Sequence, residues 1–212
     1  MALDQIAVTD PGSVSYKEYT FNELKTEILT RVNDPDGDTY SSRANELIYE
    51  GICSMVLGNY PRDGYPGLAR TESVLPNSLS SSYRIKVSGV GRETNFPLLK
   101  VIAITDDFIP PIDDTGTGIN DHRYISIDIE QYNRLNDANE SPFEDEVYYY
   151  RQGDYLYLYP GDMTLGRLLL TYIGSPEVYS AAEVMNNKFS LDFLYKVVDY
   201  TVGRIREQQA GE

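Results

Sequence analysis

The chain has few of the residues on which metal and nucleophile chemistry depends. It contains one cysteine, Cys53, and one histidine, His122, so it forms no internal disulfide and no site with several histidine ligands. Cys53 lies among apolar residues in YEGICSMVLG, which predicts a buried structural thiol. Neither local sequence supports a nucleophilic pair of Cys53 with His122, and no GxSxG, HExxH, Walker or CxxC motif occurs. We therefore predict no catalytic residue, no metal ligand and no cofactor.

Positive charge is scarce relative to negative charge. Lysine and arginine together number 18 against 33 aspartates and glutamates, which gives a net charge of −15 at pH 7. Binding a phosphate backbone tightly requires a basic surface, so this balance argues against a DNA-binding protein. It is compatible with a passage through which DNA slides, because like charge on the wall repels the polymer.

Long hydrophobic runs are also missing. No run of roughly 18 apolar residues occurs, so the sequence predicts no membrane-spanning helix. The first residues contain acids and no basic region of the kind that begins a secretory signal, so the sequence predicts no such signal there. A hydrophobic content of 41% with 24% charged residues is typical of a globular protein, and 212 residues fit one large domain or two small ones.

Helical periodicity marks both ends of the chain. Thr20 and Glu23 match a capping box, and the apolar stripe that follows predicts a helix that ends at NDPDGD, residues 33–38. A second helix is predicted over residues 42–57. A long third helix is predicted over residues 191–209, with Ser190 as its cap. Each helix has one apolar stripe, so the three are expected to bury their stripes against one another.

Between the helices the pattern changes to the alternation of strands. Six strands are predicted, over residues 83–90, 98–104, 123–129, 146–151, 154–159 and 167–173. The order predicts an α+β fold, in which a helical bundle of two N-terminal helices plus a long C-terminal helix carries an inserted antiparallel β region. Its parts are an N-terminal arm and helix pair (1–69), the β region with long loops (70–176), and the C-terminal helix that packs on the N-terminal helices (177–212).

Three stretches imitate ligand sites but lack necessary residues. DPDGD (34–38) has Thr39 and Asn45 where an EF-hand loop requires Gly and Glu, which favours a solvated turn. GVGRETNF (89–96) has no third glycine and no following helix to bind phosphate, so we predict a bend between strands. Loop acids stand at 106–107, 113–114 and 136–146. Nothing in the sequence fixes their separation as a paired-carboxylate site would require.

Tyrosines are concentrated in VYYYRQGDYLYLY, residues 147–159. Strand side chains alternate, so Leu156 and Leu158 face away from the tyrosines at 155, 157 and 159. With RQGD (151–154) at the turn, the segment predicts a hairpin whose loop has two to four residues. Its tyrosines either pack within the domain or contact a partner, since tyrosine is enriched at interfaces. The candidate interface residues are Tyr148, Tyr150, Tyr155, Tyr157 and Tyr159.

The order of features over residues 147–180, VYYYRQGDYLYLYPGDMTLGRLLLTYIGSPEVYS, resembles the head-to-tail adaptor proteins of tailed bacteriophages, also called connector or neck-ring proteins. TFNELKTEILTRVND (20–34) and SSRANELIYEGICSMV (41–56) are similar to the opening helix pair of that family. NNKFSLDFLYKVVDYTVGRI (186–205) is similar to its closing helix. The resemblance therefore covers most of the chain as an order of elements.

The resemblance implies a structural virion protein, not an enzyme. Such proteins form a homo-oligomeric ring, commonly of twelve copies, under the portal protein. The ring joins the portal to the tail or nozzle protein and continues the channel through which DNA passes as non-specific cargo. It implies a place at the neck of the virion, after assembly in the host cytoplasm, and no membrane partner. The segment after the last helix docks on the portal in the family; here that segment is EQQAGE (207–212), and residues 1–19 are an alternative.

Two other functions remain as alternatives. Tyrosine platforms bind sugars, which suggests a carbohydrate-binding or appendage module of a virion, although the chain has no tryptophan, the usual main contact. An enzyme that uses loop carboxylates, such as a glycosidase, requires a cleft with two carboxyl groups about 5–9 Å apart.

Overall fold

The computed structural model describes residues 18–58, 60–79, 82–107, 122–132, 134–135, 145–160 and 165–211. These residues form four α-helices, which are α1 Phe21–Arg31, α2 Ser41–Leu57, α3 Ile129–Tyr132 and α4 Leu191–Gly211. The described strands are β1 Ala69–Val74, β2 Asn77–Ser78, β3 Tyr83–Lys86, β4 Leu98–Asp106, β5 Arg123–Ser126, β6 Glu146–Gln152, β7 Tyr155–Tyr159 and β8 Leu168–Gly174. The predicted α+β class is confirmed.

Helix α1 begins at the predicted capping box. The Glu23 main-chain N–H donates to the Thr20 hydroxyl at 3.2 Å, and the Thr20 main-chain N–H donates to the Glu23 carboxylate at 2.8 Å. After the helix, Asn33 adopts a φ of 62°, a left-handed conformation that asparagine tolerates. The Asp34 carboxylate then accepts main-chain N–H groups from Thr39 and Tyr40, at 3.2 and 2.8 Å. Asp34 therefore holds the turn that leads into α2.

Side chains of α1, α2 and α4 meet in one apolar core. The predicted stripes lie in it, and the Phe193 main-chain N–H donates to the Ser190 hydroxyl at 3.3 Å, at the predicted cap of α4. Helix α4 continues to Gly211. It therefore includes residues 207–211, most of the segment that the family resemblance assigns to portal docking. The buried residues of this core from the three helices are Phe21, Leu24, Ile28, Leu29, Ala44, Leu47, Ile48, Ile52, Val56, Phe193, Leu194, Val197, Val198, Val202 and Ile205.

The strands form two sheets that enclose a second core. The three-stranded sheet has the order β1-β8-β4, and the five-stranded sheet has the order β2-β3-β7-β6-β5. Leu168, Leu170 and Tyr172 of β8 point into the second core, whereas Ile173 belongs to the helical core. The three-stranded sheet therefore lies between the helices and the five-stranded sheet. The buried residues of the second core are Val74, Ile85, Val87, Leu98, Ile104, Val147, Leu156, Leu158, Leu165, Leu168, Leu170 and Tyr172.

The prediction of a wholly antiparallel β region is wrong at one strand pair. β5 runs parallel to β6, with Arg123 opposite Glu146 and Ser126 opposite Tyr149. Parallel neighbours need a long crossover connection, which residues 127–145 supply. Two predicted strands also end early, since β3 stops at Lys86 and β5 at Ser126.

Strands β1 and β2 were not predicted from the sequence. β1, with the sequence ARTESV, is mostly polar because it is an edge strand that buries one face only in part. β2 has two residues, both exposed, so it offers no hydrophobic pattern to recognise.

Candidate assembly surface

The predicted tyrosine hairpin is present as strands β6 and β7. Tyr148 lies opposite Tyr159, Tyr150 opposite Tyr157, and Gln152 opposite Tyr155, in antiparallel register. This register leaves Gly153 and Asp154 as a two-residue loop, in which Gly153 has a φ of 56°. A tight hairpin turn favours glycine at such a position, and the predicted loop length is confirmed.

The two faces of the hairpin differ as the alternation predicts. Leu156 and Leu158 are 0% exposed and lie in the core between the sheets. Residues directly opposite in a sheet share one face, so the five candidate tyrosines lie together on the outer side of the five-stranded sheet. We call this set the tyrosine face: Tyr148, Tyr150, Tyr155, Tyr157 and Tyr159. All of them except Tyr150 are half-buried.

Tyr150 is the buried member of the tyrosine face, with 6% of its surface exposed. The ring of Tyr132, from α3, lies 4.2 Å from its ring centroid, and the ring of Tyr157 stacks on it at 5.2 Å. Burial, followed by the hydrogen bond with Tyr132, raises the pKa of Tyr150. Tyr150 therefore packs within the chain, which is one of the two alternatives that the sequence left open.

Basic side chains share the tyrosine face. Arg84 of β3 lies opposite Tyr157, and Lys86 lies opposite Tyr155. The Arg84 guanidinium stands 4.8 Å from the Tyr155 ring centroid, in a cation–π contact. Within the described residues, no carboxylate forms an ion pair with Arg84 or Lys86. Neither residue was predicted from the sequence, because their place on this face depends on the pairing of β3 with β7.

The loop acids do not form one cluster in the part of the chain that the structure describes. The Asp106 carboxylate accepts the His122 main-chain N–H at 3.0 Å and the Tyr124 hydroxyl at 2.8 Å, and it lies 3.0 Å from Nδ1 of His122. Burial, followed by the hydrogen bond to Asp106, raises the pKa of Tyr124. Asp107 instead accepts the hydroxyl of Ser73.

Among the other acids considered for a paired-carboxylate site, the described residue Glu146 lies beside a basic group. Glu146 is 9% exposed, and its carboxylate lies 3.6 Å from the Arg123 guanidinium. Asp113, Asp114 and residues 136–144 lie outside the described residues.

The sequence predicted a buried thiol at Cys53, but this residue is only half-buried, so the prediction is wrong. Its neighbour Ile52 faces the helical core at 0% exposure, and the next position along a helix points to a different side. Cys53 instead lines an apolar pocket of about 290 Å³ between α2 and the segment that follows β8. Burial raises the pKa of its thiol. The lining residues are Tyr49, Glu50, Cys53, Ser175, Pro176, Glu177 and Val178.

The described residues contain neither a membrane-spanning helix nor a clustered metal site. None of the helices there is both long enough and apolar enough to span a bilayer. The same ranges hold no group of three or more His, Cys, Asp or Glu side chains placed to bind a metal ion.

Comparison with known proteins gives one informative result. A family model described as "SU10 adaptor protein" matches residues 19–211. The matched range includes every described helix and strand, and with them both cores and the tyrosine face. No curated protein matches the chain.

Proposed function

The chain belongs to the SU10 adaptor protein family, and on that basis we propose that it is the head-to-tail adaptor of a tailed bacteriophage. In this role, copies of the chain form a ring, twelve in number, under the portal protein. The ring joins the portal to the tail or nozzle protein at the neck of the virion, after assembly in the host cytoplasm. The observation that carries the proposal is the family match over residues 19–211.

A structural role also agrees with the chemistry of the chain. The net charge of −15 suits a ring around a DNA channel, because a wall with an excess of acids does not hold the phosphate backbone. DNA is then cargo that passes without specific contacts. We propose no catalytic step, since two of the acids considered for one have other partners: Asp106 binds His122 and Tyr124, and Glu146 lies beside Arg123.

We further propose that the chain divides its work between a helical bundle and an inserted β region. The bundle combines residues 1–69 with residues 177–212, and the β region spans residues 70–176. The common core of α1, α2 and α4 supports the first part, and the core between the two sheets supports the second. Ile173 of β8 packs in the helical core, which attaches the β region to the bundle.

Within this assembly, we propose that the half-buried members of the tyrosine face contact a neighbouring subunit or a tail protein. Tyrosine offers a large apolar ring and a polar tip, which is why it is enriched at interfaces. Tyr150 supports this surface from within, because its ring stacks on Tyr157. The proposed contact residues are therefore Tyr148, Tyr155, Tyr157 and Tyr159.

The geometry favours this role over the alternative of a carbohydrate-binding or appendage module. A sugar ring binds on the open face of an aromatic ring. Tyr150 and Tyr157 stack on each other with an angle of 13° between their planes, and Arg84 lies over the ring of Tyr155. These contacts cover one ring face each of Tyr150, Tyr155 and Tyr157, which a sugar would otherwise use.

Electron microscopy of the purified chain, alone and mixed with the portal protein of the same virus, tests the proposed function. We expect closed rings, either free or bound to the portal. A chain that stays monomeric in both samples and leaves the portal undecorated would refute the proposal. The double variant Tyr155→Ala/Tyr157→Ala should lose much of its assembly while its unfolding temperature changes little. A loss of assembly together with a large fall in the unfolding temperature would show that these tyrosines serve folding instead.

A further inference from the structure

Two exposed apolar side chains flank the pocket beside Cys53. Leu57 is 57% exposed and stands four residues after Cys53 on α2, so the two side chains are neighbours on one face of the helix. Val178, on the wall of the pocket, is 93% exposed. The pocket has a volume of about 290 Å³ and a largely apolar lining. We call the pocket together with Leu57 the Cys53 groove, and contiguous exposed apolar surface of this kind is typical of a binding site.

The acids at the groove already have basic neighbours. The Glu50 carboxylate lies 3.9 Å from the Arg204 guanidinium, and the Glu177 carboxylate lies 3.2 Å from that of Arg70. Because these charges are paired within the chain, they do not select a charged partner. The groove therefore fits a short apolar stretch of polypeptide.

The described part of the chain begins beside this groove. The ring of Phe21, the first residue of α1, lies 5.8 Å from the ring of Tyr49, which lines the pocket. Tyr179, which follows Val178, stacks on Tyr49 at 5.7 Å, and its main-chain N–H donates to the Tyr49 hydroxyl at 2.8 Å. One aromatic cluster thus connects the start of α1 to the wall of the pocket. Residues 1–17, which lie outside the described residues, are tethered at this end of the helical core.

An apolar stretch of the required kind occurs among these first residues. LDQIAV, residues 3–8, contains three large aliphatic side chains, at Leu3, Ile6 and Val8. In an extended segment Ile6 and Val8 point to the same side, because strand side chains alternate. DPGS (10–13) has proline and glycine at the two central positions that a type II turn favours, so the sequence predicts a reversal of the chain there.

The tether is long enough for this stretch to reach the groove. Main-chain hydrogen bonds join Phe21 to Glu183 and Tyr19 to Met185, so towards its start the chain leads away from Val178. Seven residues separate Val178 from Met185, which places the two at most about 25 Å apart. Ten residues separate Val8 from residue 18, and they span up to roughly 33–36 Å. A turn at residues 10–13 therefore allows residues 3–8 to fold back onto the groove.

We propose that residues 3–8 bind in the Cys53 groove of their own chain, with Ile6 in the pocket and Val8 beside it. A protein cavity of about 150 Å³ accommodates benzene, so the pocket has room for an isoleucine side chain. A tethered segment has an effective concentration on the order of mM, which favours it over the same segment of a separate copy in dilute solution. The inference concerns a single chain and does not rest on the proposed ring.

The single native cysteine reports whether the groove is covered. In dilute, monomeric full-length chain, the rate at which Cys53 reacts with a maleimide is measured at fixed pH. Ile6→Asp/Val8→Asp should raise this rate about tenfold, because a carboxylate in an apolar pocket disfavours the bound segment by about 1.4 kcal/mol or more. A rate equal to that of the native chain would overturn the proposal.

A matched variant controls for the added charge. Ser13→Asp/Ser15→Asp adds two carboxylates to the same segment outside the apolar stretch, so Cys53 should react as it does in the native chain. Both double variants leave the two cores unchanged, and their unfolding temperatures should confirm that the fold is intact. Equal acceleration in the two double variants would overturn the assignment to residues 3–8.

Cross-linking tests the position of the segment directly. In Ile6→Cys, mild oxidation should join the new thiol to Cys53 in a product that remains monomeric on denaturing, non-reducing gels. Disulfide formation requires Cβ atoms about 3.5–4.5 Å apart, so Ser13→Cys should form this product far more slowly. Equal rates in the two variants would overturn the proposal. Products that are mainly dimers would also overturn it, because the segment would then occupy the groove of a second copy.

The outcomes separate this inference from the proposed function. Ring formation with the portal protein, together with a native labelling rate in Ile6→Asp/Val8→Asp, leaves the adaptor role in place and overturns the groove contact. A chain that never assembles, but in which residues 3–8 protect Cys53 and Ile6→Cys cross-links within the monomer, supports the groove contact and refutes the adaptor role.

Discussion

The helical core and the tyrosine face both contain clustered aromatic rings, but they differ in how completely the chain covers those rings. In the helical core, Phe193 is 0% exposed and stacks on Phe189 at 5.2 Å, with Tyr65 and Tyr60 against its edges. On the tyrosine face, only Tyr150 is similarly enclosed. The difference teaches that aromatic clustering alone does not tell which rings the chain itself covers, whereas the exposed fraction of each ring does.

The largest expected effect tests the helical side of this comparison. Phe193→Ala removes a ring that contacts three other aromatic rings, so it should lower the free energy of unfolding by about 3–5 kcal/mol. Urea denaturation followed by circular dichroism measures this loss. A loss below about 1 kcal/mol would mean that the helical core does not depend on this ring.

Neighbouring residues of β7 sharpen the comparison within a single strand. Leu158 is 0% exposed in the core between the sheets, so Leu158→Ala should cost about 2–5 kcal/mol. Tyr159→Ala, one residue further on and on the outer face, should cost about 1 kcal/mol or less. Denaturation of the two variants side by side measures the difference, and equal losses would show that the outer face belongs to the folding core.

Two glycines that face open space give opposite expectations. Gly153 has a φ of 56° in the hairpin loop, so Gly153→Ala should destabilise the chain by about 1–2 kcal/mol. Gly203 lies in α4 without a positive φ, so Gly203→Ala should stabilise it by about 0.5–1 kcal/mol. Thermal unfolding of both variants provides the measurement. Effects of the same sign would contradict the conformation at Gly153.

Alkaline pH should affect a buried tyrosine between the sheets. The Tyr172 hydroxyl donates to the Glu72 carboxylate at 2.7 Å, and burial together with this bond raises its pKa to about 12, above the usual 10.0. The folded chain therefore favours the neutral phenol. The resulting stability is fully present below about pH 10 and is lost as the pH rises through about 12. Urea titrations at increasing pH should show a steeper loss in the native chain than in Tyr172→Phe.

Local patterns predicted the parts of the fold that depend on near neighbours. The capping box at Thr20, the helical stripes and the two-faced hairpin all arise from residues a few positions apart, and all are present. Alternation specifies the two faces of a strand but not its direction, which is why the parallel pairing of β5 was not predicted.

The features of the tyrosine face that the sequence did not reveal depend on residues far apart in the chain. Tyr150 is buried because α3 places Tyr132 over it. Arg84 reaches Tyr155 because β3 pairs with a strand that follows about seventy residues later. Neither contact leaves a periodic signal in the sequence, so the sequence alone could not show which of these tyrosines are covered by other side chains.

The bonds of Asp106 have a consequence for how the protein tolerates change. Its carboxylate accepts the main-chain N–H of His122 and the hydroxyl of Tyr124. Asp106 therefore ties the end of β4, in the three-stranded sheet, to the start of β5, in the five-stranded sheet. We expect this position to tolerate substitution poorly, because one side chain joins the two sheets at this edge.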